Sequence, residues 1–153
     1  MAITASGYYG LTLEKQFKST SAGDMETTDV SVMLMLDAYT HLYDVHDFRD
    51  DLTANEVATG SGYVTGGIAL GATPAWTVAS PGAGQIAYDS PDPAWAASTI
   101  TNAEAAVLYD SSGTAGTDEL YMLSDFGSPV STANGTLTVQ VDGNGWVYFD
   151  YTA

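Results

Sequence analysis

Short strand-like segments follow one another from residue 62 to the end of the chain, and this succession constrains the fold more than any other feature. The segments are rich in β-branched, aromatic and alanine residues, and Gly, Pro, Ser and Asp separate them. They are GYVTGGIAL (62–70), AWTVA (75–79), QIAYD (85–89), AWAASTI (94–100), AEAAVLYD (103–110), ELYMLSDF (119–126), TLTVQV (136–141) and WVYFDY (146–151). Many short strands with turn signals between them are typical of β-sandwiches and jelly rolls.

The N-terminal part of the chain adds one strand and one helix. VSVMLML (30–36) predicts a buried strand from its length and its β-branched start. YGLTLEKQFK (9–18) predicts a short helix, because its apolar residues lie at roughly helical spacing.

One further helical turn is predicted at LTANEVA (52–58). Thr53 precedes Glu56 by three residues, which is the spacing of a capping box. A chain of 153 residues is enough for one core. We therefore expect a single all-β domain over residues 1–153, an antiparallel β-sandwich or jelly-roll-like fold with one or two short helices near the N-terminal third.

The C-terminal segments predict a β-hairpin. TLTVQV alternates apolar and polar residues, and the DGNG that follows contains residues suited to positive φ. A loop of odd length with a bulge places Val147, Phe149 and Tyr151 with the apolar side chains of TLTVQV. A loop of two or four residues places Trp146 and Tyr148 there instead, and the sequence leaves both registers open.

Acidic residues outnumber basic ones by 19 to 3, which gives a formal net charge of −16. Such a surface repels phosphate backbones and anionic lipids, so we expect no nucleic-acid partner and no membrane partner. The longest charge-free stretch, Val57 to Tyr88, contains too many glycines, together with Pro74 and Pro81, for a membrane-spanning helix. The absence of cysteine excludes disulfides, thiolate zinc sites and a cysteine nucleophile. The N-terminal residues do not resemble a secretory signal.

The chain has one cluster of histidines and carboxylates, formed by His41, Asp44, His46, Asp47, Asp50 and Asp51. On a helix His41 and Asp44 would share a face but His46 would not, and the aspartates do not have the spacing of an EF-hand loop. We interpret the cluster as a solvated acidic loop in which Arg49 pairs with one of the aspartates. We expect no metal ion and no cofactor.

No other pattern predicts an enzyme. Asp89 and Asp92 lie in a proline-containing turn, which lacks the apolar environment that a glycosidase acid needs. Neither a G-x-S-x-G elbow nor a phosphate-binding loop is present. We expect Trp76, Trp95, Trp146 and Phe149 to fill the core.

Two stretches resemble a group of small proteins that are encoded in the structural gene clusters of tailed bacteriophages. They are HDFRDDLTANEVATGSGYVTGGIAL, which starts at residue 46, and STITNAEAAVLYDSSGTAGTDELYMLSDFGSPVSTANGTLTVQVDGNGWVYFDY, which starts at residue 98. In that group a His-Asp-aromatic segment leads into ANEV, GxGY and GG, and a later TIT, VLYD and DFG follow. The resemblance implies a virion structural protein, and members of this size are often capsid decoration (cement) proteins.

A decoration protein would be made in the host cytoplasm and bound to the head surface of the virion. The partners implied are the major capsid protein and further copies of the chain, as a dimer or trimer. Residues 1–28 are the candidate attachment arm or helix, because two of the three basic residues lie there beside aromatic and aliphatic ones. The candidate shell-contact residues are Tyr8, Tyr9, Leu11, Leu13, Lys15, Phe17 and Lys18.

Three alternatives remain open at this point. The N-terminal helix could instead cover an open edge of the sheet. The protein could belong to the tail or neck of the virion. It could also be a carbohydrate-binding adhesion domain, which would need a row of exposed aromatic side chains on one sheet.

Overall fold

The computed structural model of the protein describes residues 6–18, 24–26, 29–71, 74–78, 80–111 and 113–151. These ranges contain β1 (Gly7–Tyr8), α1 (Gly10–Phe17), β2 (Val30–Leu36), β3 (Ile68–Ala69), β4 (Ala75–Val78), β5 (Gln85–Asp89), β6 (Ala94–Ser98), β7 (Ala103–Asp110), β8 (Leu120–Val130), β9 (Gly135–Thr138) and β10 (Val147–Asp150). Two 3₁₀ turns lie at Arg49–Asp51 and Thr53–Asn55. Strands form 42% of the chain and helical residues 10%, which confirms the predicted all-β class with its helix near the N-terminus. No helix in these ranges is long and apolar enough to cross a membrane.

The strands form three antiparallel sheets. The largest has five strands in the order β1-β8-β7-β2-β3. The second has three strands in the order β10-β5-β4, and the third pairs β6 with β9. Most neighbours in these sheets are distant in sequence, so the fold depends on long-range pairing.

One face of the five-stranded sheet packs against the two smaller sheets, and this gives the sandwich. Side chains alternate between the faces of a strand, so Val32 and Leu34 of β2 and Leu108 of β7 point the same way. They share a buried cluster with Tyr88 of β5 and Trp95 of β6. The main core therefore lies between the large sheet and the small ones.

The opposite face of the large sheet is covered by segments that are not strands. Met33 and Val107 belong to a second buried cluster, together with Tyr9, Tyr39 and Leu52 from the connecting segments. Since both faces are covered, all eight residues of β7 are buried. The segment between β2 and β3 thus forms a layer over the sheet through buried residues such as Tyr39 and Leu52, while residues 41–51 are half-buried or exposed.

The N-terminal segment also covers an edge of the large sheet. Gly7 and Tyr8 pair with Leu123 and Met122 of β8. The element at this edge is therefore β1, whereas the alternative interpretation had placed the helix there; α1 follows directly after β1.

The predicted C-terminal hairpin is wrong. β9 pairs with β6 and β10 pairs with β5, so the two predicted partners lie in different sheets. The local turn does form, because Asn144 donates its backbone N–H to Oδ1 of Asp142 and Gly145 has a φ of +87°. The turn passes the chain from one sheet to the other, since β10 finds its apolar partner in β5.

The predicted capping box at Thr53 is also wrong. A 3₁₀ turn lies there, but the hydroxyl of Thr53 donates to the carbonyl oxygen of Asp50. The side chain of Glu56 is buried, and its Oε1 accepts hydrogen bonds from the hydroxyl of Tyr63 and the backbone N–H of Gly66. Glu56 therefore organises the following loop and does not cap the turn.

Candidate interaction surface

His46, Asp47 and Asp51 of the acidic segment take part in local structure. Oδ2 of Asp51 accepts hydrogen bonds from the backbone N–H groups of Asp47 and Phe48, at 3.0 and 3.4 Å. His46 Nδ1 lies 2.9 Å from the hydroxyl of Tyr39. Within the described ranges, no group of three or more His, Asp and Glu residues could hold a metal ion.

A chain of hydroxyl groups connects this segment with the second core cluster. The hydroxyls of Tyr9 and Tyr39 lie 3.0 Å apart, and Tyr39 continues to His46. Burial raises the pKa of Tyr39 to about 12 and also raises the pKa of Tyr9 well above its ordinary value. Both tyrosines are therefore neutral hydrogen-bonding groups at physiological pH, and their role here is structural.

All three basic side chains are paired with carboxylates. Arg49 Nε lies 3.0 Å from Oδ2 of Asp118, a residue far along the chain, so the predicted pairing of Arg49 within its own loop is wrong. Lys15 Nζ lies 3.3 Å from Asp47 and 3.5 Å from Glu119. Since Lys18 pairs with Glu14 on the surface of α1, no basic side chain offsets the remaining acidic groups.

An apolar groove lies where α1 meets the three-stranded sheet, and we call it the α1 groove. It has a volume of about 280 Å³. Its lining consists of Tyr8, Leu13, Gln16, Phe17, Trp76, Ile86 and Phe149. Gln16 is the one polar amide among these residues, and its Oε1 accepts a hydrogen bond from the hydroxyl of Tyr8 at 2.9 Å. The groove therefore offers apolar contact and few free hydrogen-bonding groups.

The register of the three-stranded sheet explains why aromatic side chains reach the groove. Trp76 pairs with Tyr88 of β5. Phe149 pairs with Ile86, which lies two residues from Tyr88 on the same strand. These side chains point to the same face, because residues two apart on a strand do so. Tyr88 is fully buried in the main core, whereas Phe149 lies beyond the edge of the core and stacks on Trp76, with the ring centroids 5.7 Å apart.

The rim of the groove is exposed. Phe17 at the end of α1 is 81% exposed and Phe149 is 41% exposed. Val78, which pairs with the lining residue Ile86, is also exposed, although it lies outside the lining of the groove itself. Single exposed apolar side chains are ordinary, but a contiguous group of them around a groove marks an interaction surface.

The structure brings together three of the seven candidate contact residues. Tyr8, Leu13 and Phe17 line the α1 groove. Tyr9 does not reach the surface at all, because it is fully buried in the second core cluster. Leu11 is half-buried and lies outside the groove.

The two candidate lysines are also placed away from the groove. Lys15 forms ion pairs with Asp47 and Glu119, and its ammonium lies 4.1 Å from the centre of the Phe48 ring. Lys18 is exposed, but its ammonium is engaged by Glu14. Neither lysine lines the groove, so the contacts between the groove and a partner would be apolar.

Sequence reasoning missed Trp76, Ile86 and Phe149 as surface residues. It placed Trp76 and Phe149 in the core, which is wrong for Phe149 and only partly right for Trp76, a half-buried residue that packs against the main cluster. Trp95 is buried as expected. The sequence feature that could have indicated the position of Phe149 is its alternation with Val147. This alternation shows that the two side chains lie on one face of the strand, but it does not show where along the strand the core ends.

Comparison of the chain with protein-family models, with curated proteins and with solved structures found no match.

Proposed function

We propose that the protein is a structural component of a bacteriophage virion, a decoration protein that binds the head shell. The observation that carries the proposal is the α1 groove, an exposed apolar surface on an otherwise acidic molecule. The resemblance of residues 46–70 and 98–151 to small phage structural proteins supplies the biological context. The proposed partner is the major capsid protein, and the proposed location is the outer surface of the head.

The physical argument concerns contacts repeated over a lattice. Burial of apolar surface stabilises a contact by roughly 25 cal/mol per Å². A small groove that receives one or two apolar side chains gives a weak single contact. When a decoration protein contacts several shell subunits at once, these weak contacts reinforce one another through their effective concentration. The acidic remainder of the surface keeps the free protein soluble before assembly.

Carbohydrate binding is a second candidate, favoured by the stack of Trp76 on Phe149 at the surface of one sheet. Sugar recognition combines such aromatic contacts with hydrogen bonds to hydroxyl groups. The α1 groove carries one side-chain amide among its lining residues, and that amide already binds Tyr8. The groove therefore fits an apolar side chain of a protein partner better than a sugar.

The copy number in purified virions tests the proposal. We expect quantitative mass spectrometry to find a copy number in fixed, large proportion to that of the major capsid protein. A small fixed number per particle would place the protein in the tail or neck. Absence from the particle would overturn the virion proposal and would favour carbohydrate binding as the function.

Point variants test the role of the groove in shell binding. Phe17→Ser and Phe149→Ser each remove an exposed ring, so we expect both variants to fold normally and to lose binding to shells that lack the protein. The matched control is Val64→Ser, which removes an apolar side chain that is 65% exposed and lies outside the groove. Normal binding by both groove variants would show that another surface makes the contact.

Deletion of the N-terminal residues would be a poor test. Tyr9 and Thr12 are both fully buried, and β1 forms an edge of the large sheet. A deletion through residue 18 would therefore damage the fold together with the groove.

A further inference from the structure

The strand β9 presents an open edge. In the part of the chain that the structure describes, it pairs with β6 and with no other strand. Natural proteins usually protect such an edge with charged residues, proline or a covering segment, because it can pair with another chain. The sequence GTLTVQV at residues 135–141 contains no charged residue and no proline. Its valines and threonines favour the extended conformation.

The direction of the backbone groups on this edge follows from two hydrogen bonds. Val139 donates its N–H to the carbonyl oxygen of Pro93 at 3.0 Å, next to β6. Val141 donates its N–H to Oδ1 of Asp92 at 2.9 Å, on the same side. Backbone N–H and C=O groups of an extended chain alternate between its two sides. Thr138 and its alternate neighbours therefore direct these groups away from β6.

The outward side faces a cleft. Residues 136–140 form one wall, and Ser124, Asp125, Phe126 and Val130 of β8 contribute to the other. The cleft has a volume of about 460 Å³. Among the described residues, β1 pairs with β8 as far as Leu123, and the hydroxyl of Ser6 beyond it accepts the backbone N–H of Asp125 at 2.8 Å. Within the part of the chain that the structure describes, the cleft is therefore bounded on one side by a strand edge whose outward hydrogen-bonding groups are available.

We propose that this cleft receives an extended, basic segment of a partner protein, which pairs with β9 as an added strand. Strand addition to an open edge is a common way to bind extended peptides, because the backbone supplies the hydrogen bonds and the side chains supply specificity. The proposal does not rest on the proposed function, and it applies to any partner that carries such a segment.

The choice of a basic segment follows from charge. Asp125 is the one charged residue in the described lining of the cleft, and the protein as a whole carries a formal charge of −16. All three basic side chains are engaged in ion pairs elsewhere. A segment with lysine or arginine would therefore be attracted to the cleft, whereas an acidic segment would be repelled.

A second copy of the same chain is a poorer occupant. Two copies would bring together two strongly acidic surfaces. The edge of β9 also lies inside a cleft whose other wall is β8, so a second folded domain would need to place its own edge in that space. A flexible segment enters such a cleft without this restriction.

A synthetic peptide of alternating lysine and valine, labelled with fluorescein, tests the proposal by fluorescence anisotropy. The backbone is tested with an analogue whose amides are methylated at alternate positions, which keeps the charge but removes hydrogen-bond donors along one edge of the peptide. We expect the unmodified peptide to bind, and the methylated analogue to bind about tenfold more weakly or worse.

Substitution of Thr138 tests the protein side. Thr138→Pro removes an N–H that points away from β6, so we expect the β6–β9 pair to be retained and the circular dichroism spectrum to be unchanged. Thr138→Val is the matched control, since it keeps the N–H and the branched shape. We expect the proline variant to bind the peptide about tenfold more weakly and the valine variant to bind it normally.

Asp125→Asn provides a test that does not depend on proline. The asparagine keeps the side-chain oxygen that accepts the N–H of Gly127 at 2.7 Å, so the local turn is preserved. We expect weaker binding of the lysine–valine peptide and a smaller dependence on salt concentration. Equal binding of the unmodified and methylated peptides would overturn the proposal, and so would absence of binding. Self-association that Thr138→Pro abolishes would identify a second copy as the occupant and overturn the assignment of a basic partner segment.

Discussion

The hydroxyl of Tyr63 donates a hydrogen bond to Oε1 of Glu56 at 2.8 Å and accepts one from the backbone N–H of Leu34 at 3.0 Å. This contact joins the loop after Glu56 to the middle of β2. The other carboxylate oxygen, Oε2, is buried and has no hydrogen-bond partner among the described residues. Glu56 is therefore a buried acid with only one oxygen satisfied.

The first prediction concerns the pH dependence of Glu56. Burial raises the pKa of its carboxyl above the usual range, although hydrogen bonds from Gly66 and Tyr63 and the charge of Arg49 act in the opposite direction. A carboxyl whose pKa is higher in the folded state than in the unfolded state stabilises the fold at low pH, and this contribution is lost as the pH rises through the folded value. Glu56→Gln removes the titration and keeps an oxygen for both donors.

Urea denaturation of the wild type and of Glu56→Gln between pH 4 and pH 7 measures this effect. We expect the variant to gain stability relative to the wild type as the pH rises. The comparison is needed because general repulsion among the carboxylates also destabilises the wild type at higher pH. A difference that does not change with pH would show that the pKa of Glu56 is not raised by the fold.

The strands themselves could be predicted closely from the sequence. The predicted strands at 30–36, 85–89 and 103–110 coincide with β2, β5 and β7. Each is a short run of β-branched, aromatic or small residues with turn-forming residues at its ends, and such local features fix where a strand begins and ends. The pairing of strands could not be predicted in the same way, as the wrong C-terminal hairpin shows. β5 and β10 are far apart in the sequence, so no local feature indicates that they pair in the folded molecule.

Three of the seven residues that line the α1 groove, Tyr8, Leu13 and Phe17, could be found from the sequence. Apolar residues on a short helix near the N-terminus indicated Leu13 and Phe17, and both line the α1 groove. Phe149 was missed, because its exposure depends on how far the three-stranded sheet extends beyond the core. Tyr9 was misplaced for a related reason, since its burial depends on the connecting segment that carries Tyr39.

The second prediction concerns the close approach of Gly67 to β2. A Cβ atom at Gly67 would lie 1.8 Å from the carbonyl oxygen of Val32, and the φ of Gly67 is +71°. Gly67→Ala must therefore displace the backbone of one of the two segments. We expect a loss of more than about 3 kcal/mol in the free energy of unfolding, measured by urea denaturation.

Alanine variants at two other glycines distinguish the effect of a steric clash on stability from the effect of backbone strain. Gly71 has a φ of +80° but no described atom within 4 Å of its Cβ position, so Gly71→Ala should cost only about 1–2 kcal/mol. Gly143 has neither a positive φ nor a neighbour within that distance among the described residues, so Gly143→Ala should be neutral or slightly stabilising. Equal losses for Gly67 and Gly71 would contradict the predicted contact with Val32.

The third prediction concerns the buried hydroxyls of Tyr9 and Tyr39. Tyr39→Phe leaves the hydroxyl of Tyr9 without a partner in a fully buried position, so we expect a loss of about 1–3 kcal/mol. The double variant Tyr9→Phe, Tyr39→Phe removes both hydroxyls and should be more stable than Tyr39→Phe alone. Tyr148→Phe is the matched control, because Tyr148 is exposed, and its stability should equal that of the wild type. A double variant as unstable as the sum of the single ones would show that the hydroxyls do not depend on each other.

The fourth prediction compares two ion pairs of different burial. Arg49 pairs with Asp118, whose side chain is almost fully buried and also accepts the backbone N–H of Gly113 at 3.0 Å. Arg49→Ala leaves the Asp118 carboxylate buried with no opposite charge in contact. We expect a loss of about 3 kcal/mol in the free energy of unfolding, because removal of one partner of a buried pair costs more than the pair itself contributes.

Lys18 provides the comparison, since both it and its partner Glu14 are exposed on α1. Lys18→Ala should leave the stability unchanged within error, because water screens an exposed pair of this kind. The two variants carry the same change in net charge, so the general electrostatic effect of losing one of three basic residues is common to both. If Arg49→Ala and Lys18→Ala were destabilised equally, that common effect would explain the result, and the contact with Asp118 would have no role of its own. A large loss for Arg49→Ala alone would show that this contact holds the segment around residue 49 against the large sheet.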